Sequence, residues 1–360
     1  MTKIYNFSAG PAILPQEVLR RAASEMTNYK ESGISVMEMS HRSSLFEDIL
    51  NGSIEKVSRL LNIPDNYQVL FLQGGGSTQF AMVPLNLMKN KKADYIVTGA
   101  WAKKAAQEAG KFGDVKILAS SEDKNFSYIP DCSDLDIRED SDYVHYCSNN
   151  TIYGTRFNSL PNSKGKTLVT DASSCIVSEP MDLSAFGLVY AGAQKNMGPA
   201  GATMVIIRKD LIPEETVFNV PTMLSYKTHA EKNSLYNTPP SYSIYIMGLV
   251  FDWLLELGGL DAIQKINQEK AGLLYEFLDN SKLFSSPVRK EDRSLMNIPF
   301  ITGDKEVDAE FIKFAADEGL ISLKGHRSVG GMRASIYNAM PIEGVKKLVE
   351  CMDRFERNHQ

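Results

Sequence analysis

Apolar positions fall in short, nearly unbroken runs separated by longer stretches whose apolar residues recur at helical spacing. Val69–Leu72, Tyr95–Thr98, Tyr143–Cys147, Thr167–Thr170, Leu188–Ala191 and Thr203–Ile207 are such runs. Their shortness and β-branched or aromatic content predict strands covered on both faces. Pro15–Met26, with proline and acid at its start, reads as a helix, as do Ser241–Leu257, which stops at Gly258-Gly259, and Asp261–Asn280. Strand and helix patterns alternate to about residue 210, the signature of a doubly wound, mainly parallel α/β sheet. Met296–Ile301, Glu310–Glu318, Met332–Ile336 and Gly344–Arg357 then give an α+β pattern. The expected division is a large domain over 16–257, a small C-terminal domain over 258–360, and a segment 1–15 packing near the latter.

With 360 residues the chain is long enough for two such domains. Its 39 Lys and Arg against 44 Asp and Glu are scattered without a basic stripe, which argues against nucleic acid and leaves anion recognition to a local pocket. Cysteines 132, 147, 175 and 351 have neither disulfide-framework nor zinc spacing. The longest apolar segment, Ile244–Leu255, is interrupted by Asp252 and too short to span a bilayer, and residues 1–7 lack a cleavable apolar stretch. The expectation is a cytoplasmic enzyme rather than a secreted or membrane protein.

The chemistry gathers where the strand patterns end. Lys195 stands among small residues between two strand-like runs, so its stem should enter a cleft. A desolvated lysine there can condense with a carbonyl, for which pyridoxal phosphate is the commonest cofactor. Asp171 ends another run and could hold a pyridine nitrogen protonated; it also suits the N-cap of a helix starting at Ala172. Gly74-Gly75-Gly76-Ser77 leads from a strand into a helix, a place for a phosphate or a plain turn, and it lacks the Gly-Lys-Ser/Thr end of a Walker A loop. Trp101 could stack on a flat ring or fill the core, and Thr151 could bond a cofactor oxygen or simply a turn. Five candidates follow five successive strand patterns, where open α/β sheets bind ligands. His145, inside an apolar run, reads as a satisfied core residue, while His229 and His359 carry no pattern.

Longer motifs run nearly end to end: Asn6–Ala12, Ser40-His41-Arg42, Gly74–Gly76, Ala191–Gly201, Tyr236–Pro240 and Lys324–Pro341. In these the chain resembles fold-type I pyridoxal-phosphate enzymes, within the phosphoserine-aminotransferase branch of the class V aminotransferases. The resemblance implies Lys195 as the Schiff-base lysine and Asp171 as partner of the pyridine nitrogen. It implies Trp101 stacked on the ring, Thr151 on its oxygen, and Gly76, Ser77 and Gln194 on the phosphate side. Asn237 and Thr238 would reach the cofactor phosphate of a neighbouring subunit, making a homodimer with shared active sites. Arg333 would take the substrate α-carboxylate, and His41, Arg42, His326 and Arg327 the distal phosphate or γ-carboxylate. The implied reaction is ping-pong transamination between 3-phosphoserine plus 2-oxoglutarate and 3-phosphohydroxypyruvate plus glutamate, with 4-phosphohydroxythreonine as a further substrate. Ser77 departs from the arginine often found there in the family, so backbone contact must serve. A cysteine-desulfurase chemistry would need a mobile thiol, and neither Cys175 nor Cys351 is placed for one. A glyoxylate-linked aminotransferase would not need the His-Arg pairs, and a phosphate-binding module without catalysis would not need Lys195 and Asp171 together.

Overall fold

The structure is a computed structural model that describes residues 3–359. After β1 (Tyr5–Asn6), the chain forms α1 (Gln16–Ser24), α2 (Ser44–Leu61), β2 (Tyr67–Leu72), α3 (Gly75–Leu87), β3 (Lys92–Val97), α4 (Ala100–Ala109) and β4 (Asp114–Ser120). It continues through β5 (Val144–Cys147), β6 (Leu168–Asp171), β7 (Leu188–Gly192) and β8 (Thr203–Arg208). α5 (Tyr226–Glu231), α6 (Ser241–Glu256), α7 (Gly259–Asn280), β9 (Asn297–Phe300), α8 (Lys305–Asp317), β10 (Leu320–Ile321), β11 (Met332–Ser335) and α9 (Ile342–Asn358) complete it.

β2 to β8 form one seven-stranded sheet in the order β2-β8-β7-β6-β5-β3-β4. β8 lies antiparallel to both β2 and β7, so β2 and β7 run the same way, and β3 to β7 pair in parallel. Six strands therefore end at one edge of the sheet and β8 alone runs back. The alternation of side chains sends Val69 and Phe71 to one face and Leu70 and Leu72 to the other. The first face is covered by α2 and α6 through Phe46, Leu50, Val57, Ile246 and Val250; the second by α3 and α4 through Met82, Val83, Ala105 and Ala109.

The expected strands appear within a few residues of their predicted bounds. β4 is an additional strand, absent from the sequence reading because it is the sheet margin, with Asp114 and Ser120 exposed and Lys116 half-buried. Arg138 lies along it, its Nη2 donating to the carbonyls of Ala93 and Asp114 at 2.8 and 3.1 Å. At the opposite margin, Ser234 Oγ accepts from Phe71 N at 2.9 Å and Gln68 Nε2 donates to Ala230 O at 2.9 Å.

A separate apolar cluster gathers α7, α8, α9 and the antiparallel pair β9–β11 around Phe284, Phe300, Phe311 and Phe355. β1 pairs in parallel with β10, so the chain's first described residues pack against this cluster. α8 begins at Lys305, five residues before the apolar pattern suggested, because Asp304 accepts from Glu306 N and Val307 N and caps a polar first turn. Only two residues separate α7 from the end of α6 because Gly258 and Gly259 adopt φ +101° and +78°, left-handed conformations that let the chain turn sharply.

Candidate active site

The common edge where six strands end opens into a cavity of about 340 Å³. Five of these strands, all but the margin strand β4, deliver a side chain or a loop to it. β2 leads into Gly74, whose φ of +90° turns the chain so that α3 starts at Gly75 and Gly76 lines the cavity with Ser77. β3 ends at Val97, and Trp101 stands in the first turn of α4. The turn after β5 supplies Asn149 and Thr151, β6 ends in Asp171, and the loop after β7 carries Gln194 and Lys195. Arg333, on β11, and His326 close the cavity from the other cluster.

Lys195 Nζ donates to Thr151 Oγ1 at 2.9 Å. Burial pushes its ammonium below the ordinary range, Asp171 pulls it partly back, and the Arg333 charge pushes further down. A lysine so placed holds more of the neutral, nucleophilic amine near neutrality than a surface lysine does. Asp171 is buried, and one of its oxygens accepts from Ser173 N at 2.9 Å. Turns rather than a helix follow it, so the bond closes a two-residue turn. Ser173 Oγ in turn accepts from Gly192 N at 3.1 Å, tying the ends of β6 and β7 together.

Two buried donors of the cavity lining, Trp101 Nε1 and Arg333 Nε, have no partner among the described residues. The Arg333 guanidinium uses Nη1 on Thr151 O at 3.2 Å. A buried donor left unbonded is costly, so unused donors around a cavity mark a site shaped for an anionic or polar guest. His326 Nδ1 lies 2.7 Å from Ser328 Oγ. Burial, then the charges of Arg333, Arg327 and Lys104, lowers its pKa. Lys104 Nζ sits 4.6 Å over the Trp101 ring, adding to the positive field at the mouth.

His145 is the core residue its pattern suggested, but only one of its two ring nitrogens is satisfied. It is buried and stacked at 4.7 Å from Tyr95, with Nε2 2.9 Å from Tyr190 Oη and Nδ1 unpartnered. Burial lowers it to about 3, so it stays neutral. Cys147 lines the cavity, but burial raises its pKa well above the ordinary value, and Cys175 is raised for the same reason. Neither thiol is poised as a nucleophile.

The remaining predicted residues do not reach this cavity within one chain. His41 is buried at the turn before α2 with Nε2 unpartnered, and Arg42 beside it is exposed. Arg327 points to solvent next to His326. Asn237 and Thr238 are exposed too, with Thr238 O accepting from Gln73 Nε2 at 3.2 Å. Sequence reasoning passed over Ala9, Gly10, Asn149 and Ser173 as cavity residues. Gly10 carried a usable signal: a Cβ there would stand 3.4 Å from Gln194 Cγ and 3.5 Å from Lys195 Cγ, so the N-terminal motif lies directly on the lysine loop.

The cavity thus holds an amine, a buried carboxylate, an indole and a backbone stretch without side chains. That donor set suits a flat, phosphorylated aldehyde with a ring nitrogen. Gly76 offers a direct check. A Cβ there meets Asp171 Oδ2, Ser173 Oγ and the Tyr190 ring at 3.6 to 3.7 Å, ordinary contacts, and the backbone is not left-handed. Gly76→Ala is expected to fold with an unchanged melting temperature yet bind pyridoxal phosphate about tenfold more weakly, some 1.4 kcal/mol. Fluorescence titration of the apoprotein measures it, and unchanged affinity would place the phosphate elsewhere.

The chain matches the class V aminotransferase family over residues 4–348. It is 56% identical over 357 residues to a phosphoserine aminotransferase of Bacillus cereus, covering 99% of each chain. Among solved structures it is similar to the phosphoserine aminotransferase of Bacillus circulans subsp. alkalophilus, with a TM-score of 0.97 and 47% identity over 99% of both chains. The pyridoxal-phosphate-bound phosphoserine aminotransferase of Trichomonas vaginalis matches with a TM-score of 0.90 and 38% identity, over 98% of this chain and 100% of that one.

Proposed function

This chain belongs to the class V aminotransferases, and we propose that it is a pyridoxal-phosphate-dependent transaminase exchanging the amino group between 3-phosphoserine and 2-oxoglutarate. The observation that carries the reading is the pairing of a desolvated Lys195 amine with a buried Asp171 across one cavity at the ends of parallel strands. Bound there, pyridoxal phosphate supplies a carbonyl for amines and a ring that accepts the electron pair of a breaking Cα–H bond. Trp101 would orient the ring, Thr151 and Asn149 would border it, and Asp171 would keep its nitrogen protonated. The backbone at Gly76 and Ser77, with Gln194, would hold the phosphate end.

With that group bound, the Lys195 amine would stand where it can take a proton from the substrate Cα. Arg333 fixes the α-carboxylate in a two-pronged bond, which its orphaned Nε leaves it able to make. His326, with Arg327 close by, takes the substrate's second anionic group. 4-Phosphohydroxythreonine has the same two anionic ends and belongs to the same reading. His41, Arg42, Asn237 and Thr238 lie outside this chain's cavity, which supports a homodimer in which each subunit completes its partner's site. The large and small domains, joined near Gly258, would then close on substrate from either side of the cleft. Among the described residues no helix is long and apolar enough to cross a membrane.

Borohydride reduction of the protein loaded with pyridoxal phosphate, followed by peptide mass spectrometry, is expected to trap one pyridoxyl group per chain, on Lys195. The unreduced protein should lose its visible band with L-phosphoserine and keep it with L-alanine. A trapped group on another lysine would remove the assignment, and bleaching by alanine alone would remove the substrate.

A further inference from the structure

The strongest unexplained feature is a lysine with no contact to solvent. Lys270 lies on the buried stripe of α7 with Ile263, Asn267, Ala271, Leu274 and Leu278, and it is 0% exposed. Its Nζ donates to four backbone carbonyls: Tyr337 at 2.8 Å, Met340 at 3.0 Å, Ile336 at 3.1 Å and Asn338 at 3.3 Å. All four belong to the single turn that joins β11 to α9. Burial lowers its pKa to about 7. A neutral amine would aim a lone pair at this ring of oxygens, whereas an ammonium turns every N–H toward it, so the carbonyls favour the charged form.

The gathered turn touches the candidate active site at three points. Ile336 continues β11, which carries Arg333. Tyr337 Oη donates to the carbonyl of Ala9, a cavity residue, at 2.8 Å. Asn338 N donates to the side chain of Asn196, next to Lys195, at 3.1 Å, while its amide group accepts from Asn267 at 2.8 Å and donates to Val177 O at 2.8 Å.

We propose that Lys270 is a positioning residue for the reaction: its ammonium gathers the carbonyls of turn 336–340 and thereby sets the Lys195 loop, through Asn338 and Asn196, and the Arg333 strand. An apolar side chain at that position would leave four carbonyls converging without a donor, and the turn would relax away from both. The proposal rests on the transaminase reading for its consequence in catalysis, but its structural half stands apart from it.

Lys270→Met, similar in length and uncharged, separates the two. Hydrogen–deuterium exchange on the full-length apoprotein is expected to quicken both at 336–340 and at 193–198. In the loaded enzyme, kcat per trapped Lys195 is expected to fall about 10- to 100-fold, as misplacement of a reacting group by a fraction of an ångström does, with a rise in KM for the amino donor from the shifted Arg333. If exchange quickens only in α7 and at 336–340, with kcat per loaded site unchanged, Lys270 is purely a stabilising residue and the proposal falls. If the variant does not fold, Asn196→Ala leaves all four bonds to Lys270 in place and removes the link. Faster exchange at Asn338, whose N–H loses its acceptor, and at 193–198, with a lower kcat, supports the route, and an unaltered kcat overturns it. Absence of a trapped group on Lys195 in the wild-type chain would defeat the transaminase reading, while the exchange measurement would still decide the structural half.

Discussion

Lys195→Ala is expected to lower transaminase turnover by about 10⁴-fold, the loss of both the covalent partner and the proton carrier. The fold should survive. Lys195 Nζ makes one hydrogen bond, to Thr151 Oγ1, and its burial already disfavours the charged form. Removing it should therefore change stability by no more than about 1 kcal/mol in either direction. A discontinuous assay for 3-phosphohydroxypyruvate, alongside thermal melting and borohydride trapping, measures all three quantities. Turnover within tenfold of wild type, in a protein that no longer traps the cofactor, would mean that another amine does the work. Among the described residues, the other lysine whose ammonium burial pushes down is Lys270, which is sealed from solvent and committed to carbonyls.

Asp171→Asn is expected to cost about 10²- to 10³-fold in turnover, the range for removing one preorganised charge from a reacting centre. Asparagine keeps the shape and can still accept from Ser173 N through its amide oxygen, so the turn after β6 and the tie to Gly192 should hold. Trapping on Lys195 should remain near one group per chain while turnover drops. That separation is the informative part: a variant that lost the cofactor would report on binding, whereas one that keeps it and turns over slowly reports on the ring's ability to accept charge. Steady-state kinetics at saturating cofactor, with trapping as the occupancy measure, distinguishes them. An unaltered kcat would leave Asp171 with only its turn-forming role.

The central strands were legible because burial on both faces removes polar alternation, and what remains is a short apolar run that little else produces. The position of Lys195, Asp171, Thr151, Trp101 and Gly76 after such runs made their gathering around one cavity legible too. The margin strand β4 was not, because water on its outer side allows Asp114 and Lys116 into the pattern. The fate of Asp171 was half legible: its side chain does bond a backbone N–H, but to close a turn rather than to start a helix. Lys270 and Asn267 were invisible, since a polar residue on a helix is ordinarily a solvated one and only the converging carbonyls reveal otherwise. The His41-Arg42 and Asn237-Thr238 pairs were legible as motifs but not as places, because one chain does not bring them to its own cavity.

The two margins of the central sheet carry a last consequence. A free strand edge is a template on which any extended peptide can continue the ladder, and fibrous aggregation commonly starts there. Here Ser234 occupies an amide of β2, while Arg138 lies over the carbonyls beside β4, and Lys116 there pairs with Asp136. Side-chain plugs and charge at both margins of this sheet oppose its extension by a strand from a neighbouring molecule.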